Sequence, residues 1–434
     1  MENKLDSLIV CCGLFSYKES EKEILFPETN YNDFEDLFEK DPGIKILRQI
    51  FYPNFTNLIV SKNCHTNAHP GTCLFQHLRL TDVSRFNNLI LVNEKEESLK
   101  FSIAKVDIFL FPETISDSFK EKMGIYAFHM NLTDENAGFE TISSFIHRIR
   151  SFESNNRIRS GETDFTTIGF IQQKILSNGI SLDLISNIMG NKLKVFTVIN
   201  AANDIDDINK RLFDIGTAQH VAARSKEHST KGSEELYLEL IKSNSISIYS
   251  NWKALAIFDS FTVIGNELNN INTTWGTTYL LIYIHCLKMK FYLFHMNSEM
   301  SNISFFEKYA EKLRANFTKF INSNNLFALS FNILPNKIYH TIKNSLEINE
   351  EVEELEKKII KINRIINEKS DKNLNKLIFL LALLGIVSVI FHSSEFIMKV
   401  FSVNEHYYPH IGLSIAGTVL LTVSAYFFLL RKRG

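Results

Sequence analysis

Hydrophobic and polar positions fall into distinct regimes along the 434-residue chain. Over 1–270, short apolar runs alternate with amphipathic stretches. The runs predict strands over 8–15, 89–92, 106–111, 125–130, 195–199 and 255–258. Three- and four-residue spacing predicts helices over 135–152, with Asp134 near the N-cap, and over 204–217. The polar stretch 224–235 predicts an exposed loop. Strands interleaved with helices predict an α/β or α+β domain. From Thr277 the pattern is mostly helical until Pro335 interrupts it. Within it, 279–294 is strongly apolar but carries His285, Lys288 and Lys290, which are costly in lipid. It predicts a buried helix whose lysines reach outward along their apolar stems.

The most regular pattern follows. Val352, Leu355, Ile359, Ile362 and Ile366 alternate at three and four residues, the spacing of a coiled-coil seam. No Gly or Pro lies between Asn336 and Leu384, so one helix is predicted over 346–400, roughly 80 Å at 1.5 Å per residue. Such a stalk needs a partner for its seam. Its charges are sorted: Glu347, Glu350, Glu351, Glu353, Glu354 and Glu356 come first, then Lys357, Lys358, Lys361, Arg364, Lys369, Lys372 and Lys376. This is either a solvated face or, in an oligomer, a basic collar formed by Lys369, Lys372 and Lys376.

Two apolar stretches end the chain. Residues 411–430 carry no charge and match the 20 residues that cross a bilayer; Arg431, Lys432 and Arg433 close the stretch and extend the basic collar. Residues 377–401 reach that length only by including Glu395 and Lys399. The expectation is a membrane hairpin with both termini cytoplasmic in the cell's inner membrane. The expected organisation is an α/β sensor-like domain over 1–270, a helical region over 271–345 and a coiled-coil stalk over 346–376. The first span covers 377–401, an outer loop 402–410, the second span 411–430 and a basic tail 431–434.

Composition narrows the function. Basic and acidic side chains number 47 and 49, giving net charge −2, so no basic excess favours nucleic acid. Five cysteines at irregular spacing do not form a disulfide framework. Cys64, His65, His69, Cys73 and His77 are the donor types that zinc prefers. Their spacing matches no standard module, and Pro70-Gly71 interrupts any helix that would align them, so an ordinary loop is the competing reading. Glu113 and Asp259 each follow a predicted strand, where ligands often bind in α/β folds, although loop caps also occur there. Phosphate-cradling, metalloprotease and nucleophile-elbow motifs are absent, and no enzyme is expected.

The order of domain, long helix, two spans and basic tail resembles the CorA family of divalent-cation channels. Asn373-Leu374-Asn375-Lys376-Leu377 resembles the family's membrane entry, and Tyr408-Pro409 its Tyr-Pro before the second span. The family's Gly-Met-Asn filter is missing; it would fall near Ser394-Glu395-Phe396. Loss of the filter on that scaffold resembles the CorA-like effectors of type III CRISPR antiviral defence. That resemblance implies a homopentameric channel gated by a nucleotide second messenger, such as an S-adenosylmethionine–AMP conjugate (SAM-AMP), bound in the cytoplasmic domain. Extending the seam places Leu380, Leu384, Val387 or Ser388, Phe391 and Ser394 or Glu395 on the pore axis. Asn404 and Glu405 are outer-loop selectivity candidates. The competing readings are a magnesium transporter and a membrane-anchored coiled-coil interaction protein.

Overall fold

Apolar runs too long to leave one face in water put strands at the centre of the molecule. The computed structural model describes residues 5–27, 29–33, 42–59, 74–116, 121–134, 137–152, 155–176, 180, 182, 192–202, 205–218, 233–258, 260–268, 270–301, 307–400 and 417. Among them, one sheet holds twelve strands. These are β1 (Asp6–Lys18), β2 (Tyr31–Asp33), β3 (Gln76–Leu80), β4 (Leu89–Val92), β5 (Ser98–Ser116) and β6 (Glu121–Leu132). They continue with β7 (Arg157–Ser160), β8 (Thr163–Thr166), β9 (Lys194–Ala201), β10 (Ser245–Ile246), β11 (Trp252–Ile257) and β12 (Ser260–Asn266). The main order is β10-β11-β12-β9-β1-β6-β5-β4-β7-β8; β3 also pairs with β5, and β2 with β3. Only β9 and β12 pair in parallel; the other neighbours are antiparallel.

Strand β1 is buried from Ser7 to Tyr17, which explains its nearly continuous apolar sequence. Its register with β6 sets Gly13 against Tyr126 and Gly124 against Phe15. A Cβ at either glycine would run into the facing ring. The two rings stack, their centroids 6.4 Å apart, so each glycine makes room for an aromatic on the opposite strand.

The helices relevant to the sites are α1 (Pro42–Ile50), α2 (Pro53–Ile59), α3 (Phe139–Arg150), α4 (Ile208–Gly216) and α5 (Glu234–Asn244). A π-helical stretch, Ile271–Tyr279, leads into α6 (Leu280–Ser301). Then come α7 (Glu307–Asn324), α8 (Ile333–Ser345) and α9 (Ile348–Val400). Met1–Lys357 forms one compact unit and Lys358–Gly434 a second.

Local patterning located the main elements and missed several details. Residues 234–235, predicted as loop, open α5, because Ser233 caps it by accepting from the Leu236 amide. Pro335 starts a helix instead of breaking one: it sits in the first turn of α8, where a missing N–H costs little. The long helix begins at Ile348, since Glu347 adopts a left-handed φ of 54°.

The membrane hairpin is corrected. Among the described residues, no helix is long and apolar enough to cross a membrane. The charge-free run 377–391 spans 15 residues, about 22 Å of helix against a hydrocarbon core of roughly 30 Å. Beyond it α9 passes through His392, Glu395 and Lys399. The fold is therefore mixed α/β, a twelve-stranded sheet with helices, and the CorA-like transmembrane half and multi-pass membrane placement do not stand. The outer loop, the second predicted span and the tail lie outside the described residues, apart from Gly417.

Candidate functional site

Three groups of residues stand out: two buried polar clusters in the α/β body and the apolar length of α9. The first cluster follows from cross-strand register. Arg79 of β3 lies opposite Asp107 of β5, and His129 of β6 lies on the same sheet face. Arg79 Nε donates to Asp107 Oδ1 at 2.7 Å and its Nη2 to Oδ2 at 3.3 Å. His129 Nε2 sits 3.0 Å from Oδ2 and His77 Nε2 3.1 Å from Oδ1. Burial alone would raise the Asp107 carboxyl, but Arg79 and the two imidazoles outweigh it and hold it well below its usual range. Burial lowers His129, only partly offset by Asp107, so this ring stays neutral and donates to the carboxylate. A Cβ at Gly276 of the π-helical stretch would meet the Leu8 side chain at 2.8 Å and His129 Nδ1 at 3.8 Å, and Lys105 Nζ reaches Asn272 O at 3.5 Å. Both histidine side chains are 2% exposed, so no substrate reaches them. The cluster orders the core of the sheet.

The second cluster fastens α6 to the sheet. Lys288, 0% exposed, donates from Nζ to Leu74 O at 2.6 Å and to Glu113 Oε1 at 2.8 Å. Asn324 Nδ2 approaches the same Glu113 oxygen at 3.4 Å, and His285 Nε2 lies 3.0 Å from Asn324 O. Burial pushes His285 down to about 3, helped by the charge of Lys288, so it is neutral. Lys288 does not reach outward as its sequence context predicts; its charge is satisfied inside. Glu113 lies within β5 and is committed to this pair instead of capping a loop or waiting for a ligand. Asp259 lies outside the described residues.

Four of the five proposed metal donors, Cys64, His65, His69 and Cys73, lie outside the described residues, and His77 is turned onto Asp107. Among the described residues no group of three or more His, Cys, Asp or Glu is placed to hold a metal ion.

No protein-family model and no curated protein matches this sequence. The resemblance to CorA channels therefore rests on two short motifs, since the membrane spans it needs do not stand.

Helix α9 carries the predicted stalk and pore positions. Its first turns are anchored: Ile348, Val352 and Leu355 are buried, and Lys290 Nζ of α6 meets Glu351 Oε1 at 2.6 Å. Past Lys357 the character changes. Ile359, Ile362 and Ile366 are half-buried, whereas Ile360 is 67% exposed. From Leu374 to Val389 large apolar side chains face water, with Leu377 60% and Val389 65% exposed. Successive helical residues are 100° apart, so Leu377, Ile378, Phe379, Leu380 and Leu381 cover the whole circumference. Leu380, Leu384 and Ser388 lie exposed on this length with the collar residues Lys372 and Lys376. Lys369, Val387, Phe391, Ser394 and Glu395 belong to the same helix, their side chains outside the described set. Asn404, Glu405, Arg431, Lys432 and Arg433 lie outside the described residues altogether.

Proposed function

We propose that the protein is a homo-oligomeric effector scaffold: copies assemble by burying the apolar length of α9 against one another, while the α/β body responds to a ligand. The observation that carries this reading is the all-round exposure of large apolar residues from Leu374 to Val389. A helix that is apolar on every side is stable when buried, and each Leu, Ile or Val removed from water contributes about 1.5–3 kcal/mol. Several helices meeting at one axis supply that burial. The half-buried seam Ile359, Ile362 and Ile366 sets the register of the first heptads. A ligand changes such an assembly only by binding one arrangement better than another.

The test is the mass of the full chain by sedimentation, compared with Leu377→Asp/Leu384→Asp. The expected result is a defined oligomer that falls to single-chain mass in the variant, whose α/β body still melts cooperatively by circular dichroism. A monomeric wild-type chain would overturn the proposal. So would flotation with phosphatidylcholine vesicles that the same substitutions abolish, because lipid would then be what covers the helix.

A further inference from the structure

An open cleft of about 440 Å³ lies beside the β2–β3 edge of the sheet, far in sequence from α9. This volume falls in the usual range for small-molecule sites. Its walls come from three places in the chain: Asn30 and Tyr31, the stretch from Leu80 to Arg85, and the π-helical turn that contains Gln173 and Lys174. Hydrogen bonds tie these walls together. Thr81 Oγ1 donates to Asn30 O at 3.0 Å, Tyr31 Oη to Ile175 O at 3.3 Å and Arg85 Nη2 to Lys174 O at 3.1 Å. The floor is apolar, with Tyr31, Leu80, Ile175 and Leu176 all buried, while the rim is polar.

Two cations overlook the cleft, and aromatic rings hold both. The Arg85 guanidinium lies 4.8 Å from the centroid of the Phe86 ring, and Lys174 Nζ lies 5.2 Å from that of Phe165. Neither forms an ion pair with a described carboxylate. The one acid in the lining, Asp82, accepts at Oδ1 from the Ser84 amide at 2.9 Å and the Ser84 hydroxyl at 2.6 Å, and it also feels the charge of Arg85 without closing an ion pair with it. One Arg85 nitrogen is used within the wall, which orients the guanidinium and leaves its remaining donors for an acceptor in the cleft. The Asn30 and Gln173 amides and the Asp82 carboxylate add partners suited to hydroxyl groups.

We propose that this cleft binds a small, hydroxyl-bearing oxyanion, a phosphate monoester or a carboxylate, with Arg85 and Lys174 holding the anionic group. The inference does not depend on how α9 assembles. Titration calorimetry of the full chain with glucose 6-phosphate and with gluconate tests it, with glucose as the uncharged control. The expected result is that at least one charged probe binds at least tenfold more tightly than glucose, and more weakly as salt rises. Arg85→Ala and Lys174→Gln should each weaken that binding tenfold or more, while Lys174→Arg retains most of it. The two charged probes distinguish phosphate from carboxylate recognition. Failure of both to bind at millimolar concentration would overturn the proposal. Binding that Arg85→Ala leaves unchanged, in a variant whose thermal melt matches the parent, would overturn it too.

Discussion

Asp107 concentrates the electrostatic demands of the core in one side chain. It carries a full charge at 2% exposure and is tolerated because Arg79 forks onto both of its oxygens. Asp107→Asn removes the negative partner and leaves the guanidinium, 15% exposed, unmatched. The expected loss is about 3 kcal/mol, read as a lower urea midpoint. The pH dependence has a definite sign. Asp107, His129 and His285 all have folded values shifted down, so the unfolded chain binds more protons as pH falls. The contribution of these three groups is fully present above about pH 6.5, the unfolded histidine value. Below it His285, held neutral down to about pH 3, contributes a decline of about 1.4 kcal/mol per pH unit, and His129 adds to it in the same direction. Asp107 adds its own decline below about pH 4, where the unfolded carboxyl protonates. Urea titrations at pH 7, 6 and 5 measure the histidine slope, and His285→Phe should flatten it.

At the level of whole elements, α6 is held on the sheet by an internal ion pair as well as by apolar packing. Lys288→Met leaves Glu113 without its cation, so the expected cost is about 3 kcal/mol; Glu113→Leu alone has a similar cost because it strands the lysine. The double substitution should recover most of the loss, since matched apolar groups replace a desolvated pair. A double-mutant cycle on denaturation midpoints checks the coupling. This pair was not legible in the sequence. Lys288 lies in an apolar run, where a lysine usually extends to solvent, and Glu113 lies 175 residues away. No local spacing relates them.

Across the whole molecule, the division after Lys357 leads to a separate expectation. All twelve strands and α1 through α8 lie before it, together with the buried anchors Ile348, Val352 and Leu355. A chain ending at Lys357 is expected to fold, with a melting temperature within a few degrees of the full chain, and to be monomeric by sedimentation. Aggregation of that fragment would mean that the body depends on the helix for its own stability.

Apolar runs and heptad spacing are local, and they marked β1, β4, β5, β6, β9, α3 and the long α9 because each element's burial is written in its own consecutive residues. They also marked the apolar stretch near the end of the chain, but not what covers it. Among the described residues, length and polarity decided against a span there, since only 15 residues precede the run of polar positions that begins at His392 and includes Glu395 and Lys399. Strand order, the parallel β9–β12 pairing and the meeting of His77, Arg79, Asp107 and His129 arise only when distant segments pair. The same holds for Arg85 and Lys174, separated by 89 residues and brought together at one cleft. Burial and hydrogen bonding across such separations are properties of the folded chain, and they turned ordinary polar residues into clusters and a candidate binding site.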